Sequence, residues 1–120
     1  MTEPTITFKF TNTTVDYIHQ ELITKKLATL QKYFTAGEVL HEVEFKKEAP
    51  HSNGPIHVIE VNLSHEGTLY RAKTAQESFE KAIDVVRNEL DAEIRHSRNK
   101  RSNLFMKGAR RLKEMVRFQR

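Results

Sequence analysis

Residues 56–75 read IHVIEVNLSHEGTLYRAKTA and decide the fold, because they describe two strands joined by a tight turn. Ile56 to His65 alternates between apolar and polar residues with a period of two, the pattern of a half-buried strand. Glu66-Gly67 then predicts a tight hairpin turn, and Leu69 to Ala75 is the partner strand. Three apolar residues of the first strand point inward: Ile59, Val61 and Leu63. Such a hairpin has to bury its apolar face against another layer of structure.

Alternation with the same period predicts two further strands, at residues 5–10 and 39–47. Their core-facing residues are expected to be Ile6, Phe8, Phe10, Val39, Val43 and Phe45. Residues 49–55 contain two prolines and a glycine and therefore predict a loop.

Apolar residues at helical spacing predict two amphipathic helices. The first runs from Val15 to Phe34 and is capped by Thr13 or Thr14. Its apolar stripe is Val15, Ile18, Leu22, Ile23, Leu27, Leu30 and Phe34. The second helix follows the N-cap Ser78 and ends near His96. Its apolar stripe is Phe79, Ala82, Ile83, Val86, Leu90 and Ile94.

The order β-α-β-β-β-α predicts an α+β fold, a two-layer sandwich in which both helices cover one face of a four-stranded sheet. The other sheet face is polar and is expected to meet water. Its residues are Thr7, Lys9, Glu42, Glu44, Lys46, Glu60, Asn62, Arg71 and Lys73. Every strand aromatic except Tyr70 falls on a core-facing position, so we do not expect bases to stack on the sheet. Nucleic acid would have to meet the helix sides, the loops or the C-terminal residues.

Positive charge is concentrated at the C-terminal end of the chain. Residues 95–120 carry ten Lys and Arg against one acid, Glu114, whereas the preceding 94 residues carry ten Lys and Arg against fifteen Asp and Glu. Neutralising phosphates releases condensed counterions, so this asymmetry favours a polyanionic partner, with nucleic acid the first candidate. We expect residues 1–98 to form the folded domain and residues 99–120 to form a basic tail.

The basic tail also has an apolar side. Phe105, Ala109, Leu112 and Val116 fall on one helical stripe, although Gly108 costs such a helix about 1 kcal/mol relative to alanine. An isolated helix of this length is marginal in water, so we predict a tail that is mostly disordered when free and helical on a partner. A basic amphipathic helix can also lie on an anionic membrane or enter a groove on a protein, and both alternatives remain open.

The residues that favour chemistry are sparse. The chain has six histidines and no cysteine, and no two histidines show the close helical pairing of a zinc site. His41 and His57 are expected to come near each other across adjacent strands, but no metal or other cofactor is expected. Isolated glycines and the lack of a nucleophile elbow make an enzyme the least expected class, with no small-molecule substrate.

Targeting signals are also lacking. Met1-Thr2-Glu3-Pro4 has neither the basic nor the apolar region of a secretory signal, and no apolar run approaches membrane-spanning length. We therefore expect a cytoplasmic protein without a membrane partner.

Three motifs in this order match a known family: KKLATLQKYF at 25–34, GTLYRA at 67–72 and SFEKAID at 78–84. Over about residues 5 to 98 the chain resembles the short ribosome hibernation promoting factors and the related ribosome-associated translation inhibitor. The resemblance implies the β-α-β-β-β-α fold of double-stranded-RNA-binding domains. It also implies binding to the small ribosomal subunit, in the channel for mRNA and tRNAs, and inhibition of translation during starvation.

The second helix departs from the family, since Glu80 replaces a tyrosine and Glu89 and Ala92 replace basic residues. We therefore expect RNA contacts mainly from the first helix and the basic tail. The candidate RNA-binding residues are Lys25, Lys26, Lys32, Arg87, Arg95, Arg98, Lys100, Arg101, Lys107, Arg110, Arg111 and Lys113. The expected partners are the small ribosomal subunit and its ribosomal RNA, with a monomer off the ribosome. The alternatives are a general regulator that binds structured RNA and a protein-interaction module that uses the tail.

Overall fold

The structure, a computed structural model, describes the backbone of residues 5–48 and 56–118 and the side chains of these residues up to 99. The predicted loop at 49–55 lies outside the described residues. The elements in chain order are β1 (Thr5–Thr11), α1 (Tyr17–Ala28), a short 3-10 helix (Gln31–Tyr33), β2 (Val39–Lys47), β3 (His57–His65), β4 (Thr68–Gln76) and α2 (Phe79–Phe118). The predicted α+β fold and its element order are confirmed.

The four strands form one mixed sheet in the order β1-β2-β3-β4. β1 and β2 are parallel because α1 lies between them in the chain, and the other neighbours are antiparallel. Glu66 and Gly67 join β3 to β4 with φ of 48° and 79°. Two consecutive positive φ values are the mark of a type I′ turn, whose twist matches that of the flanking strands. The predicted hairpin is therefore confirmed.

The core lies between one face of the sheet and the two helices. Ile59, Val61 and Leu63 of β3 are fully buried, as predicted. All six residues of the predicted stripe on the second helix are buried as well: Phe79, Ala82, Ile83, Val86, Leu90 and Ile94. Ser78 caps this helix by accepting a hydrogen bond from the Lys81 amide at 3.2 Å. Each fully buried aliphatic side chain contributes about 1.5–3 kcal/mol, so this layer of contacts dominates stability.

The first helix is shorter than predicted. It begins at Tyr17 and ends at Ala28, after which the Thr29 and Leu30 amides donate to carbonyls three residues back, at 3.3 Å and 3.0 Å. The chain then tightens into the 3-10 helix. The N-cap is Asp16, not Thr13 or Thr14. The predicted stripe is correct at Ile23, Leu27 and Leu30, which are fully buried, but wrong at Ile18, which is 73% exposed.

The second helix is longer than predicted. Its backbone continues to Phe118, so the end expected near His96 was wrong, and the tail is helical where a mostly disordered segment was expected. A helix that is already packed on the core extends without a new nucleation cost. Residues 97–118 are rich in Arg, Lys, Leu and Met, which favour helix. In the described part of the chain, no helix has the length and apolar character that a membrane crossing needs.

Two aromatic residues of the strands differ from expectation. Tyr70 lies on the core face, opposite Leu63 and 3% exposed, and not on the open face. Phe10 faces the core side but is 39% exposed, because it lies on the edge strand β1. Its ring stacks on that of Phe45, with 5.9 Å between the ring centroids. Within strands β1 to β4, the open face of the sheet therefore carries no aromatic ring for a base to stack on.

The buried histidine is His41. It is 2% exposed, its Nδ1 lies 3.3 Å from the Thr5 carbonyl oxygen, and its Nε2 has no hydrogen-bond partner among the described residues. The predicted approach to His57 was wrong, because His41 pairs in register with Leu63 and His57 with Lys47. No group of three His, Asp or Glu within 5–48 and 56–99 is arranged to hold a metal ion.

Burial lowers the pKa of His41, and the backbone hydrogen bond to Thr5 offsets this only in part. The unfolded chain therefore binds a proton near pH 6.5 that the folded chain does not, so stability should fall as pH drops below about 6.5. We expect His41→Leu to flatten this fall between about pH 7 and about pH 5. Urea unfolding at several pH values measures it.

The control is His96→Gln, since His96 is exposed on α2 and its replacement should leave the pH dependence unchanged. A His41→Leu protein that loses stability on acidification as steeply as the unaltered chain would contradict the assignment.

Candidate nucleic-acid interface

The end of α1 directs its lysines away from the core. Ile23 and Leu27 anchor one side of the helix, which leaves Lys25 exposed and Lys26 at the border with α2. Both lysines lie in the last turn, where the helix dipole favours cations. Lys25 forms no ion pair with any described residue, and Lys26 pairs with Asp84 of α2 at 3.1 Å. The last turn of α1 therefore offers one unpaired and one partly neutralised cation.

A second contact joins the two helices beside this ion pair. The Arg87 Nε donates to the Thr29 hydroxyl at 3.0 Å, and another guanidinium nitrogen donates to the Asn88 side-chain oxygen at 3.1 Å. Together with Lys26 and Asp84, these residues line a shallow groove between the helices. Arg87 is thus held in place, and neither of its two described hydrogen bonds neutralises its charge.

Farther along α2, several charges surround the ring of Tyr33. The Tyr33 hydroxyl donates to one Asp91 oxygen at 2.5 Å, and the Arg95 Nε donates to the other at 3.1 Å. The Lys32 ammonium and the Arg98 guanidinium lie 5.3 Å and 5.8 Å from the ring centroid, within cation–π range. We call these five residues the Tyr33 cluster. It holds three cations around one aromatic ring and one carboxylate.

The protonation states of the cluster follow from these contacts. The hydrogen bond from Tyr33 lowers the pKa of Asp91, and the nearby Arg95 and Arg87 lower it further. The same hydrogen bond, assisted by burial, raises the pKa of Tyr33. At neutral pH the carboxylate is therefore ionised and the phenol keeps its proton, so the cluster retains a net positive charge.

Two acidic residues of α2, Glu89 and Glu93, lie away from this cationic side. Arg87, Asp91, Arg95 and Arg98 follow one another at intervals of four, four and three residues and share one stripe of the helix. A displacement of two residues turns about 200° around a helix, so Glu89 and Glu93 face the opposite direction. The acidic departure from the family at Glu89 thus leaves the cationic stripe intact.

The structure brings together five of the predicted RNA-binding residues: Lys26, Lys32, Arg87, Arg95 and Arg98. Lys25 stands apart on the exposed side of α1. Six more lie on the helical backbone of α2 beyond the described side chains: Lys100, Arg101, Lys107, Arg110, Arg111 and Lys113. Sequence reasoning missed Tyr33 and Asp91 as the residues that organise the cations. The spacing of Asp91, Arg95 and Arg98 on one helical stripe was the available signal.

Comparison with known proteins gives a family and a fold. The family model described as sigma 54 modulation protein / S30EA ribosomal protein matches residues 6–102. A search of curated proteins gives no significant match.

Two solved structures resemble the chain. One is the N-terminal domain of Protein Y from Thermus thermophilus, with a TM-score of 0.64 and 22% sequence identity. The other is a ribosomal subunit interface protein from Coxiella burnetii, with a TM-score of 0.59 and 14% identity. Each comparison covers 77% of this chain and 97% of the other. At such identities the two structures show that the fold is shared.

The hydrogen bond from Tyr33 to Asp91 should be visible in stability. We expect Tyr33→Phe to lower stability at neutral pH, because Asp91 then loses the donor that stabilises its charge. A lowered Asp pKa contributes stability above the unfolded value and loses it as pH falls through the folded value. The difference from the unaltered chain should therefore shrink below about pH 4. Urea unfolding at neutral and acidic pH measures both effects.

Tyr17→Phe is the matched control, because the Tyr17 side chain is 72% exposed and has no hydrogen bond among the described residues. An equal loss of stability in the two variants, or one that persists at acidic pH, would rule out the proposed role of the Tyr33 hydroxyl.

Proposed function

The chain belongs to the sigma 54 modulation protein / S30EA ribosomal protein family, and on this premise we propose that it is a ribosome-associated hibernation factor. It binds the small ribosomal subunit in the channel for mRNA and tRNAs and inhibits translation under starvation or in stationary phase. The family match over residues 6–102 carries the proposal. The description of the similar Coxiella burnetii protein as a ribosomal subunit interface protein supports it.

The Tyr33 cluster and Arg87 supply the body's contact with RNA. Arg87, Arg95 and Arg98 lie on one stripe of α2, and Lys32 lies in the 3-10 helix next to it. This side of the protein therefore offers four cations to phosphates. Contacts of this kind give affinity and position without reading sequence. This suits a factor that recognises the shape of an RNA-lined channel, with the exposed Lys25 as a further phosphate contact.

The C-terminal part of α2 carries further cations beyond the part of the helix that packs on the sheet. Residues 99–118 continue the helix for about 30 Å. This segment contains most of the predicted tail cations: Lys100, Arg101, Lys107, Arg110, Arg111 and Lys113. The tail runs along the RNA and adds most of the salt-dependent affinity. Inhibition results from occupying the channel and requires no catalytic group.

The alternative of a general regulator that binds structured RNA relies on the same cations. The two functions differ in what the protein prefers. A hibernation factor binds assembled small subunits more tightly than isolated duplex RNA, and a general RNA-binding regulator does not.

Charge removal should weaken binding in proportion to the number of phosphates that the protein no longer neutralises. We expect Lys32→Gln with Arg95→Gln and Arg98→Gln to lower affinity for small subunits and to flatten its salt dependence. The slope of log K against log salt should decrease by roughly 0.7–0.9 for each phosphate left without its cation. A tail variant with Arg101, Lys107, Arg110 and Arg111 changed to Gln should have a similar effect. Co-sedimentation with subunits over a range of salt concentrations measures this.

The matched control removes three cations from the open sheet face: Lys9→Gln, Arg71→Gln and Lys73→Gln. It changes the net charge as much as the cluster variant, yet should retain affinity. Equal losses of affinity in the cluster and sheet variants would mean that binding depends on the net charge of the protein and not on the position of the Tyr33 cluster. Unchanged co-sedimentation of the cluster and tail variants would reject both sites.

Channel occupancy makes a separate prediction about competition. Small subunits that already hold mRNA and initiator tRNA should bind the protein much more weakly than empty subunits, because the ligands claim the same space. Filter binding of labelled protein to empty and loaded subunits measures this. Equal affinity for the two would exclude binding in the channel while leaving binding to the ribosome intact.

A further inference from the structure

The first turn of α1 exposes two large apolar side chains next to each other. Tyr17 and Ile18 are 72% and 73% exposed, while the other exposed large apolar residues in the described part of the chain, Phe10, Leu40 and Leu69, range from 39% to 54%. We call these two residues the Tyr17–Ile18 patch. They project outward because the buried side of α1 is set by Ile23 and Leu27. Consecutive side chains on a helix point about 100° apart, so the two residues present a broad apolar surface at the start of α1 that nothing in the described part of the chain covers.

The charges around this patch are mainly negative. Asp16 is the N-cap of α1, but its side chain makes no capping hydrogen bond, and Glu21 is exposed one turn after the patch. Glu80 of α2 lines the same groove as Asp16, with its carboxylate 3.6 Å from His19. This groove lies between the start of α1 and the start of α2, and among the described residues Lys47 is the one Lys or Arg that lines it. Residues 12–24 contain no Lys or Arg. A phosphate backbone would be repelled here.

We propose that the Tyr17–Ile18 patch docks a basic protein segment. An arginine of the partner stacks on the Tyr17 ring, its aliphatic stem packs on Ile18, and its charge pairs with Asp16 or Glu21. Tyrosine and arginine, together with tryptophan, are enriched among the residues that carry most of the binding energy of protein interfaces. The apolar centre and acidic rim thus fit a cationic polypeptide and not RNA.

The position of the patch gives it a role in recognition. It lies eight residues, about 12 Å, from Lys25 along the same helix, so one helix presents an acidic apolar end and a cationic end. An assembled ribosomal subunit offers RNA together with basic polypeptides. Simultaneous contact with both would let the protein distinguish the subunit from free RNA. In this respect the inference rests on the proposed function.

Two probes test the proposal: purified small ribosomal subunits and the protein-free RNA extracted from them. We expect Tyr17→Ser with Ile18→Ser to lower affinity for subunits by about tenfold and to leave affinity for the RNA unchanged. The control is Leu40→Ser with Leu69→Ser, which removes two partly exposed apolar residues from the open sheet face and should affect neither. The Tyr17→Ser, Ile18→Ser variant should nearly keep the thermal midpoint of the unaltered chain, because these side chains are 72% and 73% exposed, and the affinities of both variants are measured below their own midpoints.

A charge variant distinguishes a basic protein segment from RNA as the ligand of the patch, because removing acidic residues should weaken binding of the first and strengthen binding of the second. Asp16→Asn with Glu21→Gln should weaken binding to subunits and strengthen binding to the protein-free RNA. Asparagine is as good an N-cap as aspartate, so α1 is retained. Tighter binding to both probes would mean that the patch faces RNA and would overturn the proposal.

The remaining outcomes are also decisive. Equal losses of affinity on subunits and RNA for the Tyr17→Ser, Ile18→Ser variant, or no loss on subunits, would overturn the proposal. If the unaltered chain ignores subunits, the proposed function fails, and the patch is then judged by titrating the ¹⁵N-labelled chain with a hexa-arginine peptide. Chemical-shift changes centred on Tyr17, Ile18 and Glu21 would support the patch, and their absence would refute it.

Discussion

The apolar stripe of α2 packs across the core face of β3 and β4, and this contact determines where every other side chain of the helix points. Six buried positions between Phe79 and Ile94 leave the helix no freedom to rotate. The stripe from Arg87 to Arg98 is thereby directed toward Tyr33, and Glu89 and Glu93 are directed away from it. The cationic surface therefore follows from hydrophobic packing, although its members are all polar.

Local periodicity was sufficient for most of the fold. The alternation of β2 and β3, the Glu66-Gly67 turn and the buried stripe of α2 all depend on residues close in sequence, and all were predicted. The face of Tyr70 was missed, although the alternation with Arg71 and Lys73 already implied it. The early end of α1 was missed because the apolar spacing continues through Leu30 and Phe34, whereas the backbone switches to bonds three residues back at Thr29 and Leu30.

The candidate site was predictable in composition but not in organisation. Charge counts identified the cations of α1 and α2, but the contact of Tyr33 with Asp91 joins residues 58 positions apart. No local pattern reveals such a pair, which becomes visible only once the sheet brings both helices onto one face. The same contact gives the acidic residue Asp91 a structural role. Asp91, a negative charge in a surface expected to meet RNA, holds Arg95 and the Tyr33 hydroxyl in place.

The unbroken course of α2 from the core to Phe118 has a mechanical consequence. A flexible arm loses conformational entropy when it binds, whereas a segment that continues a packed helix has already lost it during folding. Such a rod can enter a narrow cleft only along its own axis, with its far end first and the globular part last. The C-terminal end of the helix would then reach the bottom of the cleft before the globular part makes contact, so an obstacle there would block binding at its first step.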